Sequence, residues 1–242
     1  MARKMNIEAR AAGFLADIRA AYGGRVSSVI LYGPAARGIV RRGDGGISFM
    51  VVMDDNSPSE LSRCASLIAK WRKKGIAVPL FLTGDYIRKS LDSFPLEFIA
   101  MKRSYRVIDG EDALADLSFK PADVRAQCER ELKGKFIHLR AEYLLARGDA
   151  RNLTGLAERS LDAFGIVFAG ALFLKQAEIP SDESSLLDAV CKAYELDRNM
   201  FRNLQSIAGG ALRVSDIDAD VLFDRYVEEL TKLSQAIDSF SV

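Results

Sequence analysis

Histidine is almost absent from this chain, which contains a single one, His138, among 242 residues. Catalysis by a serine–histidine–aspartate or cysteine–histidine arrangement would therefore have to use that residue. It lies beside the apolar stripe of a predicted helix, and nothing nearby in the sequence supports such a role. We interpret His138 as a structural or surface residue.

Cysteine is also scarce, with Cys64, Cys128 and Cys191 far apart along the chain. Their number is odd, and their spacing is not that of metal ligands. We therefore predict three buried free thiols in a reducing cytoplasm.

Long apolar runs and an excess of one charge are missing as well. The most apolar segment, residues 161–174, is interrupted by glycines and is shorter than the roughly 20 residues that span a bilayer. The first residues lead into an amphipathic stretch, so we expect no signal peptide and a cytoplasmic location. Because 34 basic residues stand against 33 acidic ones, overall charge gives no reason to expect nucleic acid or a membrane as partner.

The first half of the chain alternates between helix and strand patterns. Apolar residues at helical spacing predict a helix from Ile7 to Tyr22, ended by two glycines. Ser57-Pro58-Ser59-Glu60 resembles a capping box and predicts a helix that ends at Gly75. Strands are predicted at residues 26–32, 47–53, 77–83 and, from a weaker pattern, 96–108.

The second half shows only helical spacing after a boundary at Lys120-Pro121. Ser215 is predicted to cap the last helix, with acidic residues in its first turn. Predicted helices cover residues 124–148, 152–175, 183–194, 197–207 and 216–237. We therefore predict an α+β fold, with a mixed sheet flanked by helices in residues 1–118 and a helical bundle in residues 119–242.

One loop between two predicted strands carries a chemical pattern. The strand at 26–32 leads into Gly33-Pro34-Ala35-Ala36-Arg37-Gly38, and the next strand follows Gly43-Asp44-Gly45-Gly46-Ile47-Ser48. A glycine after a strand lets the backbone approach a phosphate, and the amides at a helix start can bind phosphate oxygens. Arg37, Arg41 and Arg42 add positive charge around this loop.

These residues resemble the signature of nucleotidyltransferases of the DNA polymerase β type. That signature is Gly-Ser-x-Ala-Arg-Gly, followed by Ser-Asp-x-Asp at the start of the next strand. Two aspartates separated by one residue on a strand point the same way and hold two Mg²⁺ ions, which carry the phosphoryl chemistry. The resemblance implies that Gly33, Pro34, Arg37 and Gly38 bind the phosphates of a nucleotide.

The chain departs from the signature at the metal positions. Alignment on the following strand places Gly46 and Ser48 where the aspartates stand, so we expect no metal at that strand. Asp44 is the nearest carboxylate. In active relatives a third carboxylate lies on a later strand, and Glu97 is the best candidate for it here.

The resemblance extends to bacterial proteins related to the aminoglycoside-modifying nucleotidyltransferases, which carry a helical substrate-binding domain. The segments concerned begin at Ser90, Tyr105 and Lys133. The implied function is a catalytically degenerate nucleotidyltransferase that serves as a nucleotide-binding or regulatory module. The alternative is an active enzyme that transfers a nucleoside monophosphate to a small molecule or protein, using Mg²⁺ and relocated carboxylates such as Asp44, Glu97 or Asp85.

Association is predicted from the helix at 152–175. Its residues 161–174 are apolar nearly all round, and a helix of that kind is usually buried on every side. A small four-helix bundle can bury one such helix at its centre, which is compatible with a monomer. Because a domain of about 120 residues leaves much of its surface exposed, we expect a homodimer formed mainly through the helical half.

Overall fold

The computed structural model describes residues 6–39, 46–146, 149–208, 211–213, 215 and 218–241. It has an α+β fold, as predicted, with a four-stranded mixed sheet near the amino terminus and a helical carboxyl-terminal region. The chain divides into two compact units, one of residues 1–92 and 100–118 and one of residues 93–99 and 119–242.

The first unit is built on four strands whose order across the sheet is β3-β2-β1-β4. Strand β1 (Val26–Tyr32) lies antiparallel to both β2 (Ser48–Met53) and β4 (Tyr105–Gly110), whereas β3 (Leu80–Leu82) lies parallel to β2. The predicted bounds of β1 are confirmed, and those of β2 are confirmed to within one residue. Strand β3 is shorter than predicted.

Helices precede and connect these strands along the chain. Asn6 caps the first helix through its side chain, which accepts a hydrogen bond from the Ala9 amide. The helices are α1 (Ile7–Tyr22), α2 (Pro58–Leu61), α3 (Ala65–Lys73), α4 (Gly84–Lys89) and α5 (Pro95–Arg103).

The core of the first unit lies between α1, α3 and one face of the sheet. Phe14 of α1 stacks on Phe49 of β2 with ring centroids 4.1 Å apart, and the Trp71 ring meets Phe14 edge-on at 4.9 Å. All three rings are buried, so this face owes its stability mainly to apolar area removed from water.

The predicted capping box at Ser57 is wrong. The Ser57 hydroxyl donates to Asp55 at 3.0 Å and makes no cap hydrogen bond, and the helix is interrupted by a 3₁₀ turn at Ser62–Cys64. An aspartate two residues before Ser57 therefore competes for the hydroxyl that the capping pattern needs.

From Pro121 onward, the described residues of the second unit form a bundle of five helices. Its helices are α6 (Pro121–Ala146), α7 (Ala150–Leu174), α8 (Glu183–Ala193), α9 (Arg198–Ala208) and α10 (Ala219–Asp238). Asp218, rather than Ser215, caps α10 by accepting a hydrogen bond from the Val221 amide at 3.1 Å; Asp216 and Ile217 lie outside the described residues.

Helix α7 forms the centre of this bundle. Phe164, Phe168 and Ala169 are each no more than 2% exposed. At Gly170 an added Cβ atom would lie 2.3 Å from the Leu96 side chain and 2.7 Å from the Cys128 sulfur. These apolar side chains of α7 are thus buried within one chain, so their apolar character is no evidence for a second subunit. A homodimer formed mainly through the helical half stays a prediction.

The three cysteines are buried free thiols, as predicted. Burial raises the pKa of Cys128 and Cys191 to about 12. Both therefore remain protonated and unreactive at neutral pH.

A partly buried hydrogen bond between Asp17 and Trp71 makes a pH-dependent contribution to stability. Asp17 of α1 accepts a hydrogen bond from the indole Nε1 of Trp71 at 2.9 Å and one from Lys70 at 2.6 Å. Burial alone would raise the pKa of Asp17, but these two bonds outweigh it and hold the pKa below the ordinary 3.8.

We predict that Asp17→Ala lowers the free energy of unfolding by about 1–3 kcal/mol, because it leaves a buried indole N–H without an acceptor. Since the folded pKa is depressed, the contribution of Asp17 is complete above about pH 3.8 and is lost as the pH falls through the folded value. Urea unfolding at several pH values measures it. Asp54→Ala, which removes an exposed carboxylate directly after β2, is the control and should leave stability unchanged. A deficit in Asp17→Ala that does not shrink in acid would refute the assignment.

Candidate functional site

The predicted phosphate-binding residues directly follow the end of β1. Gly33 has a φ of +75° and Gly38 a φ of +80°, and Pro34–Arg37 form a 3₁₀ helix between them. Backbone angles in this region favour glycine, since a Cβ atom is strained there. The two glycines therefore fix the shape of the loop, which we call the Gly33–Gly38 loop.

Most amide donors of the Gly33–Gly38 loop have partners within the protein. The Gly33 amide donates to the Ser104 carbonyl at 2.8 Å, and the Ser104 hydroxyl donates back to the Gly33 carbonyl at 3.1 Å. The amides of Ala36 and Gly38 donate to carbonyls of the loop itself at 3.0 Å, and Pro34 has no N–H to offer. The amide cradle that the resemblance implies is therefore largely closed.

Arg37 is a residue of the loop that has a hydrogen-bond donor without an acceptor among the described residues. Its side chain is half-buried, and its Nε atom is buried with no hydrogen-bond partner in the part of the chain that the structure describes. A buried donor without a partner costs about 1–3 kcal/mol, and more when it is charged. An anion beside the guanidinium would remove that cost, and phosphate matches its planar donors well.

Hydroxyl groups occupy the sheet end next to the loop. Ser48, Tyr32 and Tyr105 stand opposite one another on β2, β1 and β4, and directly paired residues share one face of a sheet. Burial raises the pKa of Tyr32, and a hydrogen bond with Ser48 partly opposes that shift. Burial and a 3.0 Å hydrogen bond to Asp112 both raise the pKa of Tyr105. Hydroxyl groups of three paired strands line this end of the sheet, and the Asp112 carboxylate accepts a hydrogen bond from one of them.

Gly46, at the first metal position of the signature, leaves no room for a side chain. Its φ is +105°, and a Cβ atom added there would lie 2.6 Å from the carbonyl oxygen of Gly75. The close approach is built into the strand edge, because the Ile47 amide donates to that carbonyl at 2.8 Å and the Ala77 amide donates to the Ile47 carbonyl at 3.0 Å. Position 46 therefore does more than lack the signature aspartate, because the backbone there leaves no room for an aspartate side chain.

The candidate carboxylates are not gathered at the loop. Asp44, with Arg41 and Arg42, lies outside the described residues. Asp85 is 61% exposed on α4 and pairs with Lys89 at 2.7 Å, and this hydrogen bond lowers the pKa of Asp85.

Glu97 lies on helix α5, so the strand predicted over residues 96–103 is wrong. Pro95 at the first helical position and basic residues in the last turn are the signals that a helix begins and ends there. The Glu97 carboxylate accepts a hydrogen bond from Gln127 at 2.8 Å, and Gln127 in turn accepts one from the Leu96 amide at 2.8 Å. Glu97 thereby helps to hold α5 against α6.

Three findings complete the description of the chain. Among the described residues, no three histidine, cysteine, aspartate or glutamate side chains are grouped so that they could hold a metal ion. No helix in the same residues is long and apolar enough to cross a membrane. Comparison of the chain with protein-family models and with curated proteins found no match.

Proposed function

We propose that this protein is a nucleotidyltransferase-fold protein that has lost nucleotidyl transfer and binds a phosphate-bearing ligand, such as a nucleotide, as a binding or regulatory module. The observation that carries the proposal is Arg37, whose buried Nε lacks a partner beside a loop shaped by Gly33 and Gly38. A phosphate beside this half-buried side chain would be matched in charge and geometry by the planar donors of the guanidinium.

The backbone at Gly46 supports the loss of catalysis. Two-metal phosphoryl transfer needs carboxylates that hold the ions at the reacting phosphate. Gly46 cannot carry such a group without moving the strand edge at Gly75, and Ser48 supplies only a hydroxyl that is bonded to Tyr32. Losing one preorganised contact to a transition state typically costs about 3–4 kcal/mol, and loss of the ions costs more.

The alternative, an active enzyme with relocated carboxylates, has less support. Asp85 is engaged by Lys89, and Glu97 is engaged by Gln127. Incubation with labelled nucleoside triphosphates, Mg²⁺ and candidate acceptors distinguishes the two functions. The proposal predicts that no label is transferred to any acceptor.

Arg37→Ala is predicted to weaken binding of ATP about 10- to 100-fold, because one charge-assisted hydrogen-bonding group is worth about 1.5–3 kcal/mol. Calorimetric titration in the presence of a chelator measures this. Arg88→Ala removes an arginine that is exposed on α4 and paired with Asp85, so it is the matched control and should bind as the native protein does. Equal affinity in both variants would show that the loop does not bind the phosphates.

A further inference from the structure

Helix α6 exposes a stripe of apolar side chains on its outer side. Ile137, Leu144 and Leu145 are 67%, 75% and 87% exposed. Together with Gly134 and the exposed Ala141, they follow the three- and four-residue steps that define one helix face. Single exposed apolar residues are ordinary, but a contiguous exposed patch marks an interaction surface.

The same helix has a second apolar face, which is already covered. Val124, Cys128, Leu132, Phe136 and Leu139 are buried in the core of the helical bundle. Helix α6 therefore does not need the outer stripe to fold onto its own unit, and the stripe is available to a partner.

Charged residues of opposite sign flank the stripe. At about 100° per residue, Lys133 and Arg140 fall on one side of Ala141, and Glu131 and Glu142 fall on the other. Farther round the helix, Glu129 and Lys135 form i,i+4 pairs with Lys133 and Glu131. Glu142 is 55% exposed and reaches Arg159 only at 3.9 Å, so both Arg140 and Glu142 can pair with a partner.

This charge distribution selects both the partner and its orientation. Two copies of α6 packed in parallel about a two-fold axis bring the basic side of each helix against the acidic side of the other. Arg140 then lies beside Glu142 of the partner subunit. Lys133 and Glu131 are held within their own chain, by Asp238 at 3.2 Å and by Lys135 at 2.8 Å. An antiparallel pair would bring like charges together on both sides.

A groove next to the stripe fits the same arrangement. Between α6 and α7 a space of about 310 Å³ is lined by Leu139, Leu156 and Phe164 below and by His138 and Glu142 at the rim. In the parallel pair the partner subunit's Ile137 points towards this groove, as a knob enters a hole in a coiled coil.

We propose that the outer face of α6, formed by Gly134, Ile137, Ala141, Leu144 and Leu145, is a homodimer interface in which two copies of the helix pack in parallel. Gly134 and Ala141 allow the two backbones to approach closely. The central helix α7 lies inside each subunit and contributes only residues that line the adjacent groove, such as Leu156 and Phe164.

Light scattering of the 242-residue chain is expected to give a mass about twice 26.6 kDa. Leu144→Asp should shift the particle to the monomer mass without lowering the melting temperature of the monomer. Val221→Asp is the matched control, because Val221 is a 53% exposed apolar residue on α10 of the same unit, and it should leave the dimer intact. A native particle of 26.6 kDa at high concentration, or a dimer that survives Leu144→Asp, overturns the proposal.

Charge reversal tests the orientation. Arg140→Glu and Glu142→Arg should each raise the dissociation constant of the dimer roughly three- to tenfold, because each makes two symmetry-related pairs repulsive. The double variant should restore the native constant, which also shows that the single variants fold. In an antiparallel dimer each single reversal would exchange one like-charged pair for another and leave the constant unchanged.

Discussion

Gly46→Asp, the substitution that returns the signature residue, is expected to destabilise the protein rather than to create a metal site. A non-glycine residue in a strained backbone region costs about 1–3 kcal/mol, and the new Cβ atom would also lie 2.6 Å from the Gly75 carbonyl. We expect a total loss of about 3 kcal/mol or more, and a melting temperature about 6–12 °C lower.

Ser48→Asp is the matched control for this experiment. Ser48 begins β2 and is half-buried, so an aspartate there meets no backbone strain and should be the milder change. The double variant should be as unstable as Gly46→Asp and should bind no Mn²⁺ in calorimetry. A stable double variant with a stoichiometric Mn²⁺ site would mean that the strand edge at Gly75 yields easily and that catalysis was lost by substitution alone.

Phe168→Asp and Ala169→Arg are expected to unfold the helical unit. Both side chains are within the core of the bundle, at 2% and 0% exposure, and an unpaired charge there is among the few changes that cost more than about 4–5 kcal/mol. Circular dichroism during urea unfolding measures the loss of helix.

Ala126→Arg, at an exposed position of α6, is the control for Ala169→Arg and should leave helix content unchanged. If Phe168→Asp instead gave a folded protein of altered mass, α7 would lie at a subunit interface and its placement in the core of one chain would be wrong.

Much of the fold could be predicted from the sequence because local signals and burial agree there. Helix α1 has an apolar stripe with a glycine at its end, and β1 is a run of buried apolar residues ended by Gly33. Patterns of this kind depend on the period of the element and on the turn residue that follows it. The boundary predicted at Lys120-Pro121 coincides with the start of α6, although the helix itself was predicted from residue 124.

The errors have local physical causes. In α5 the apolar residues follow one another so closely that their period does not distinguish a short helix from a strand. Pro95, at the first position of the helix, was the better signal for its start. Strand β3 begins only at Leu80, because Pro79 has no amide to donate to a ladder. The apolar side chains of α7 were correctly predicted to be buried. The sequence alone does not show that the described helices of one chain suffice to bury them.

The candidate site was predictable in its residues and unpredictable in its geometry. Glycine and arginine at the ends of the loop suggested phosphate binding. That Gly33 is tied to Ser104 depends on a contact across 71 residues of chain, which no local pattern contains. The conformation of Gly46 likewise depends on the distant Gly75, so the sequence shows that an aspartate is missing but not that the backbone excludes it.

The central claim is that the Gly33–Gly38 loop binds phosphate without metal and without turnover. Calorimetric titration with ATP, first in chelator and then in excess Mn²⁺, tests it most directly. We predict one site per chain, the same affinity in both conditions, and recovery of intact ATP afterwards. Binding that requires Mn²⁺, together with release of pyrophosphate, would contradict the claim and identify an active nucleotidyltransferase.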